Sequence, residues 1–223
     1  MSKKFKKNFK TSKNNYLNTS SKYKLKRNYG LCSDCKRPNT SHGWCQNCNS
    51  KIFQKDFDKW TSGNKYIDKF IQETQMKAKS KYEVIEWIPY NQIRNIEYLA
   101  KGGFSTIYTA NWYDYISVVL KSLNNSSNIN DDFLNALKNH LQFNSTSDNS
   151  LTVRIYGITQ DPETSNYMIL MQYINGGNLR SNLLIKKHSL FEKYKDLSQI
   201  AAALSTLHTC NLIHGDFHRE IFS

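Results

Sequence analysis

The feature that most constrains this 223-residue chain is a pair of alternating segments meeting at a glycine turn, with a lysine at the end of the next apolar stretch. Asn95-Ile96-Glu97-Tyr98-Leu99 alternates as a half-buried strand does, and Thr106-Ile107-Tyr108 alternates again. Ala100-Lys101-Gly102-Gly103-Phe104-Ser105 lies between them, so the two strands are expected to form a hairpin. A glycine-bearing turn lets backbone N–H groups approach phosphate oxygens without obstruction from Cβ atoms, and an aromatic at its tip can cover them. Lys121 stands thirteen residues beyond Tyr108, closing the apolar strand Val118-Val119-Leu120. A point cation there could reach the phosphates of a nucleotide held beneath the hairpin.

The downstream pattern continues in an orderly way. A helix is expected over residues 131–141, with Phe133, Leu134, Leu137 and Leu141 on one face. Residues 151–157 and 167–173 read as two further strands. From Tyr194, the residues Leu197, Ile200, Ala201, Leu204 and Leu207 recur at helical spacing, and the helix should end near Thr209 to Asn211. It delivers Leu212-Ile213-His214-Gly215-Asp216-Phe217-His218.

On these residues and their order, the stretch from about Asn95 to Phe217 resembles the ATP-binding half of a eukaryotic protein kinase of the tyrosine-kinase-like or Ser/Thr type. The resemblance implies an α+β fold: a protein-kinase-like N-lobe of five antiparallel strands and one helix, followed by an incomplete helical C-lobe. It also implies an ATP site formed by Lys101, Gly102, Gly103, Phe104, Ser105, Ile107, Val119, Lys121, Met171, Gln172 and Tyr173. Ile107 and Val119 would clamp the adenine ring, Met171 would be the gatekeeper, and Gln172-Tyr173 would be the hinge. Gly176-Gly177-Asn178-Leu179 looks like the glycine step into the larger lobe. Asp216 would position the acceptor hydroxyl and take its proton, with His214 as a structural member.

Departures from the family pattern matter as much. Ala100 replaces the first glycine of the loop and Ser105 the third. Ala136 falls where the helix of such kinases presents a glutamate to the lysine, and Gly215 replaces the arginine beside the catalytic aspartate. The metal-binding asparagine is expected five residues after Asp216, where this chain has Ile221. No D-F-G or A-P-E segment follows, so the sequence reads as a C-terminally truncated kinase domain, catalytically inactive because it lacks its Mg²⁺ ligands. Two alternatives stay open. One is a non-catalytic, pseudokinase-like protein that binds a nucleotide or a partner. The other is a small-molecule phosphotransferase, a class that also uses H-G-D-x-H.

Upstream, Cys32-x-x-Cys35 and Cys45-x-x-Cys48 are separated by nine residues rich in turn formers, among them Pro38, Asn39, Ser41 and Gly43. Such pairs can close a tetrahedral, structural Zn²⁺ site, with His42 able to stand in for one thiolate, and the segment resembles a short zinc ribbon. Cys210, the fifth cysteine, is expected to be a small core residue.

Residues 1–30 carry ten of the 31 Lys and Arg residues and no Asp or Glu, leaving only +3 of the +13 formal charge for the rest of the chain. This stretch is expected to be a disordered basic tail, able to engage RNA or an anionic surface weakly. The division that follows is tail 1–30, cysteine module 31–50, helical connector 51–94 and partial kinase domain 95–223. In the connector, Tyr66, Ile67, Phe70, Ile71 and Gln75 mark an amphipathic helix running to about Ser80, and Val84, Ile85, Trp87 and Ile88 form a second apolar group. Both are expected to pack against the kinase-like lobe. No apolar run reaches the length of a membrane span and no signal peptide opens the chain, so the expected location is intracellular, cytoplasmic or nuclear. Expected partners are ATP and a protein substrate or regulator.

Overall fold

The computed structural model describes residues 29–102, 105–123, 126, 131–146, 153–175 and 189–213. The expectations for residues 1–28, for Gly103 and Phe104, for the glycine step at 176–179, and for His214, Gly215, Asp216 and Ile221 lie outside the described residues.

In chain order the elements are α1 (Gln46–Asp56), α2 (Lys65–Lys77), β1 (Glu86–Trp87), β2 (Ile93–Lys101), β3 (Ser105–Trp112), β4 (Ile116–Leu123), α3 (Asp131–Thr146), β5 (Ile155–Gln160), β6 (Tyr167–Gln172) and α4 (Leu190–Thr209). The strands form one sheet in the order β1-β5-β6-β4-β3-β2. Five antiparallel strands were expected; the sheet has six, because β1 from the connector adds to its edge in parallel with β5. The reason lies in the apolar run at residues 84–88. Val84, Ile85 and Ile88 are buried, so the backbone between them needs partners, and the Ile88 N–H finds one in the Ile158 carbonyl at 2.9 Å.

Alternation along β4 sorts the core onto the two faces of the sheet. Val118 and Leu120 point to one face, packing with Met168, Leu170, Ala110 and Ile93. The opposite face is covered by both α2 and α3: Ile67 and Ile71 of α2 share a core with Phe133, Leu137 and Leu141 of α3 and with Ile169 of β6. Ile67 and Ile71 are fully buried, and each stabilises the docking by about 2 kcal/mol. Gln75, the third buried residue of α2, donates from Nε2 to the Ile85 carbonyl at 3.0 Å. α2 opens on Asn64, whose side chain accepts from the Tyr66 N–H at 2.9 Å. The connector is therefore part of the folded lobe.

α4 opens with a capping box between Ser189 and Glu192. Its Leu190, Phe191, Tyr194 and Leu197 are exposed, and it closes at Cys210, which is buried as expected. Among the described residues no helix is long and apolar enough to cross a membrane.

Candidate functional site

The hairpin forms where the alternation put it. Lys101 pairs with Thr106, and the Gly102 N–H donates to the Ser105 carbonyl at 2.8 Å, closing the turn below its tip. Residues that are direct partners across a sheet project to the same face. Ile107 pairs with Lys121, which pairs with Ile169; Thr109 pairs with Val119, which pairs with Met171. Ile107, Val119, Lys121 and Met171 are thus gathered in two adjacent rows on one face of three neighbouring strands, the face on which α3 packs. β6 then ends at Gln172, whose N–H is taken by the Arg154 carbonyl at 2.8 Å, and Tyr173 follows partly exposed. Lys101 sits exposed at the base of the hairpin, beside Gly102.

α3 runs over this face with Ala136 one turn before His140. His140 Nε2 lies 2.8 Å from the Val153 carbonyl. A carbonyl can only accept, so Nε2 carries the proton and the helix is tied to the chain entering β5. Among the described residues no carboxylate forms an ion pair with Lys121.

The four clustered cysteines converge at the other end of the described chain, and their sulfurs all lie within 4.8 Å of one another. Cys32 Sγ is 3.7 Å from Cys48 Sγ, and Cys35 Sγ is 3.6 Å from Cys45 Sγ. These separations are far too long for disulfides, whose S–S bond is about 2.0 Å. They match the edge of a tetrahedron with metal–sulfur bonds of about 2.3 Å, which is roughly 3.8 Å. The first pair lies on a tight turn in which Cys32 N–H donates to the Arg37 carbonyl at 2.8 Å and Lys36 adopts φ +59°. Gly43, at φ +61°, lets the chain reverse so that Ser41 and Trp44 bridge. Cys45 is then the N-cap of α1 and Cys48 lies in its first turn, so the positive end of the helix faces the sulfurs. A backbone N–H from Arg37 holds the Cys35 thiol down at about 6, while crowding by Cys35 and the other sulfurs pushes Cys48 up to about 12. Four thiolates cannot coexist here unless a cation neutralises them. The donor set fits zinc.

A family model described as protein tyrosine and serine/threonine kinase matches residues 93–220. The chain belongs to this kinase family. Among curated relatives, the MAP kinase kinase MKK1/SSP32 of Saccharomyces cerevisiae is 28% identical over 216 residues, covering 83% of this chain and 41% of that protein. The chain therefore spans less than half the length of the curated relative it matches.

Kinase-family membership sharpens the meaning of α3. Sequence reasoning noticed Ala136 and overlooked His140, although a histidine one turn on, beside Leu137 and Leu141, was the available signal. Burial lowers the His140 pKa, outweighing the hydrogen bond to the Val153 carbonyl that raises it, and the Lys121 charge adds to the lowering. The unfolded chain therefore takes up this proton first as pH falls. The stability that neutral His140 contributes is complete above its ordinary value of about 6.5 and is lost as pH falls through the window below it. Between pH 7.5 and 5.5 the melting temperature should fall by a few degrees more in the wild-type chain than in His140→Asn. Parallel slopes in the two thermal unfolding series would remove His140 from the linkage.

Proposed function

We propose that this kinase-family chain binds ATP against the face formed by Ile107, Val119, Lys121 and Met171. The adenine would lie between Ile107 and Val119 and pair with the hinge backbone at Gln172 and Tyr173. Lys101, Gly102, Gly103, Phe104 and Ser105 would cover the phosphates, and Lys121 would reach them as a point cation. The strand register that aligns Ile107, Val119 and Met171 beside Lys121 is the observation that carries this reading.

In a fuller form of the domain, Asp216 would orient a protein hydroxyl for transfer of the γ-phosphate, with Mg²⁺ neutralising charge on the phosphates. Similarity to a MAP kinase kinase supports a protein as acceptor rather than a small molecule. Transfer by this chain should be very slow, because Ala136 cannot hold Lys121 as a glutamate would and Ile221 offers no metal ligand where asparagine is expected. Nucleotide binding without efficient transfer is the activity we assign it. The cysteine tetrahedron would hold one structural Zn²⁺ through Cys32, Cys35, Cys45 and Cys48, as the sulfur separations support. Thiolate ligation favours a reducing, intracellular compartment.

Calorimetry of Mg²⁺-dependent ATP binding, with Lys121→Met beside the wild-type chain, tests the nucleotide reading. Losing a charged contact to phosphate should weaken binding by about tenfold or more. A folded wild-type chain that binds no ATP would overturn the reading.

A further inference from the structure

We infer that the cysteine module is the C-terminal cap of α2, and that metal occupancy at its four sulfurs sets how firmly α2 and α3 are held on the nucleotide face. A helix leaves its last four carbonyls without intrahelical partners. The cysteine module supplies partners to the last two carbonyls of α2, Met76 and Lys77, and to Ala78 and Lys79 just past its end. Trp44 donates from Nε1 to the Ala78 carbonyl at 3.1 Å, and Thr40 donates from Oγ1 to the Lys79 carbonyl at 2.7 Å. Gln46 Nε2 reaches the Met76 and Lys77 carbonyls, each at 3.4 Å.

The three donors are spaced around the metal ligands: Thr40 and Trp44 lie in the nine-residue loop between the cysteine pairs, and Gln46 follows Cys45. Short-range hydrogen bonds such as Asn39 N–H to the Gly30 carbonyl and Thr40 N–H to the Trp44 carbonyl, both at 2.9 Å, and the Trp44–Phe53 ring contact shape that loop, but buried apolar packing does not. Within the described part of the first sixty residues only Cys32 and Cys45 are buried, and α1 buries no side chain at all. The module has no apolar core, so a metal joining its two turns is what would present Thr40, Trp44 and Gln46 together.

The mechanical path continues from there without a gap. α2 carries Ile67 and Ile71 into the core that also holds Phe133, Leu137 and Leu141 of α3. α3 in turn carries His140 near enough to Lys121 for its titration to feel that charge. In most arrangements of this fold an ion pair from the helix would help to fix that lysine; with Ala136 in place, the support must come from the packing of α3, and α2 contributes Ile67 and Ile71 to the core on which α3 packs. Loosening the cap would therefore reach the proposed nucleotide site through one continuous layer of side chains.

The inference rests on the zinc and ATP readings above, and the test separates them. Zinc content by mass spectrometry, thermal unfolding and Mg·ATP calorimetry would be compared for the zinc-loaded chain, the chelated chain, and a Thr40→Val, Trp44→Phe double variant that keeps all four ligands. One zinc per chain, with a melting temperature about 5 °C lower and ATP binding about fivefold weaker in both the chelated chain and the double variant, is the expected result. Zinc bound, but melting and ATP affinity unmoved by chelation or by the double variant, would overturn the coupling and leave the zinc site intact. Absence of bound zinc would overturn the zinc reading and the coupling together. Zinc and the melting shift without any ATP binding would confine the cap to stability and overturn its link to the nucleotide face.

Discussion

Replacing Cys45 by serine should lower zinc affinity by a hundredfold or more and leave the segment from Tyr29 to the start of α1 without a fixed fold. Structural zinc contributes on the order of 10 to 16 kcal/mol to small modules of this kind, and four thiolates share that contribution. A hydroxyl is a poor replacement, being far less acidic and a harder donor than sulfur. Cys45 is also the buried N-cap of α1, so the substitution strikes the one point where the second turn and the helix join. Competition against a chromophoric chelator would report the affinity. An unchanged affinity would mean that the sulfurs are neighbours without being ligands.

The same site should release zinc as the solution is acidified. Metal binding requires thiolates, and Cys35, below its depressed value of about 6, must lose a proton to bind. Above that pH Cys35 is already ionised, while Cys48, pushed up to about 12, still gives up its proton only to the metal. Zinc affinity should therefore rise with pH throughout the neutral range, and loading should release protons into a weakly buffered solution.

The parts of the fold that were legible in the sequence are those where a pattern repeats. Short alternating stretches at residues 95–99 and 106–108 marked β2 and β3, the apolar run Val118-Val119-Leu120 marked β4, and the lysine at its end fixed the face on which a nucleotide could lie. α2 could be read from Ile67, Ile71 and Gln75, which are its buried residues. α3 extends beyond the expected Leu141 to Thr146, since Phe143 is also buried. β1 could not be read as a strand because two residues carry no period; the apolar run around it showed burial without showing geometry. α1 begins inside the cysteine module and buries nothing, so it leaves no amphipathic stripe to find. The spacing of the cysteines announced their cluster, but the use of Thr40, Trp44 and Gln46 at the end of α2 is a tertiary contact across thirty or more residues, which no local pattern encodes.

Gly157→Ala should detach β1 from the sheet and lower the melting temperature by about 10 °C, as an overpacking cost of about 3 kcal/mol would. Gly157 is the partner of Glu86 across the parallel β1–β5 pair. A Cβ built there would collide with the Glu86 carbonyl oxygen and meet Ile88 Cδ1 at 2.8 Å. The first contact is with backbone, which has no rotamer to change, so the strands must part. Gly63→Ala is the control: it stands at φ +76° with open space around its Cβ position, and the substitution should cost only about 1 kcal/mol of backbone strain. Equal melting shifts in the two variants would mean that the close approach at Gly157 is relieved without separating β1. The loss should still fall short of releasing the whole connector, because Arg154 stacks on both Tyr82 and Tyr156, at 5.3 and 4.9 Å, and donates from Nη2 to the Lys81 carbonyl at 3.2 Å. With that clasp and the Ile67–Ile71 face of α2 intact, the connector remains seated on α3, and the damage is confined to the sheet edge farthest from the glycine hairpin.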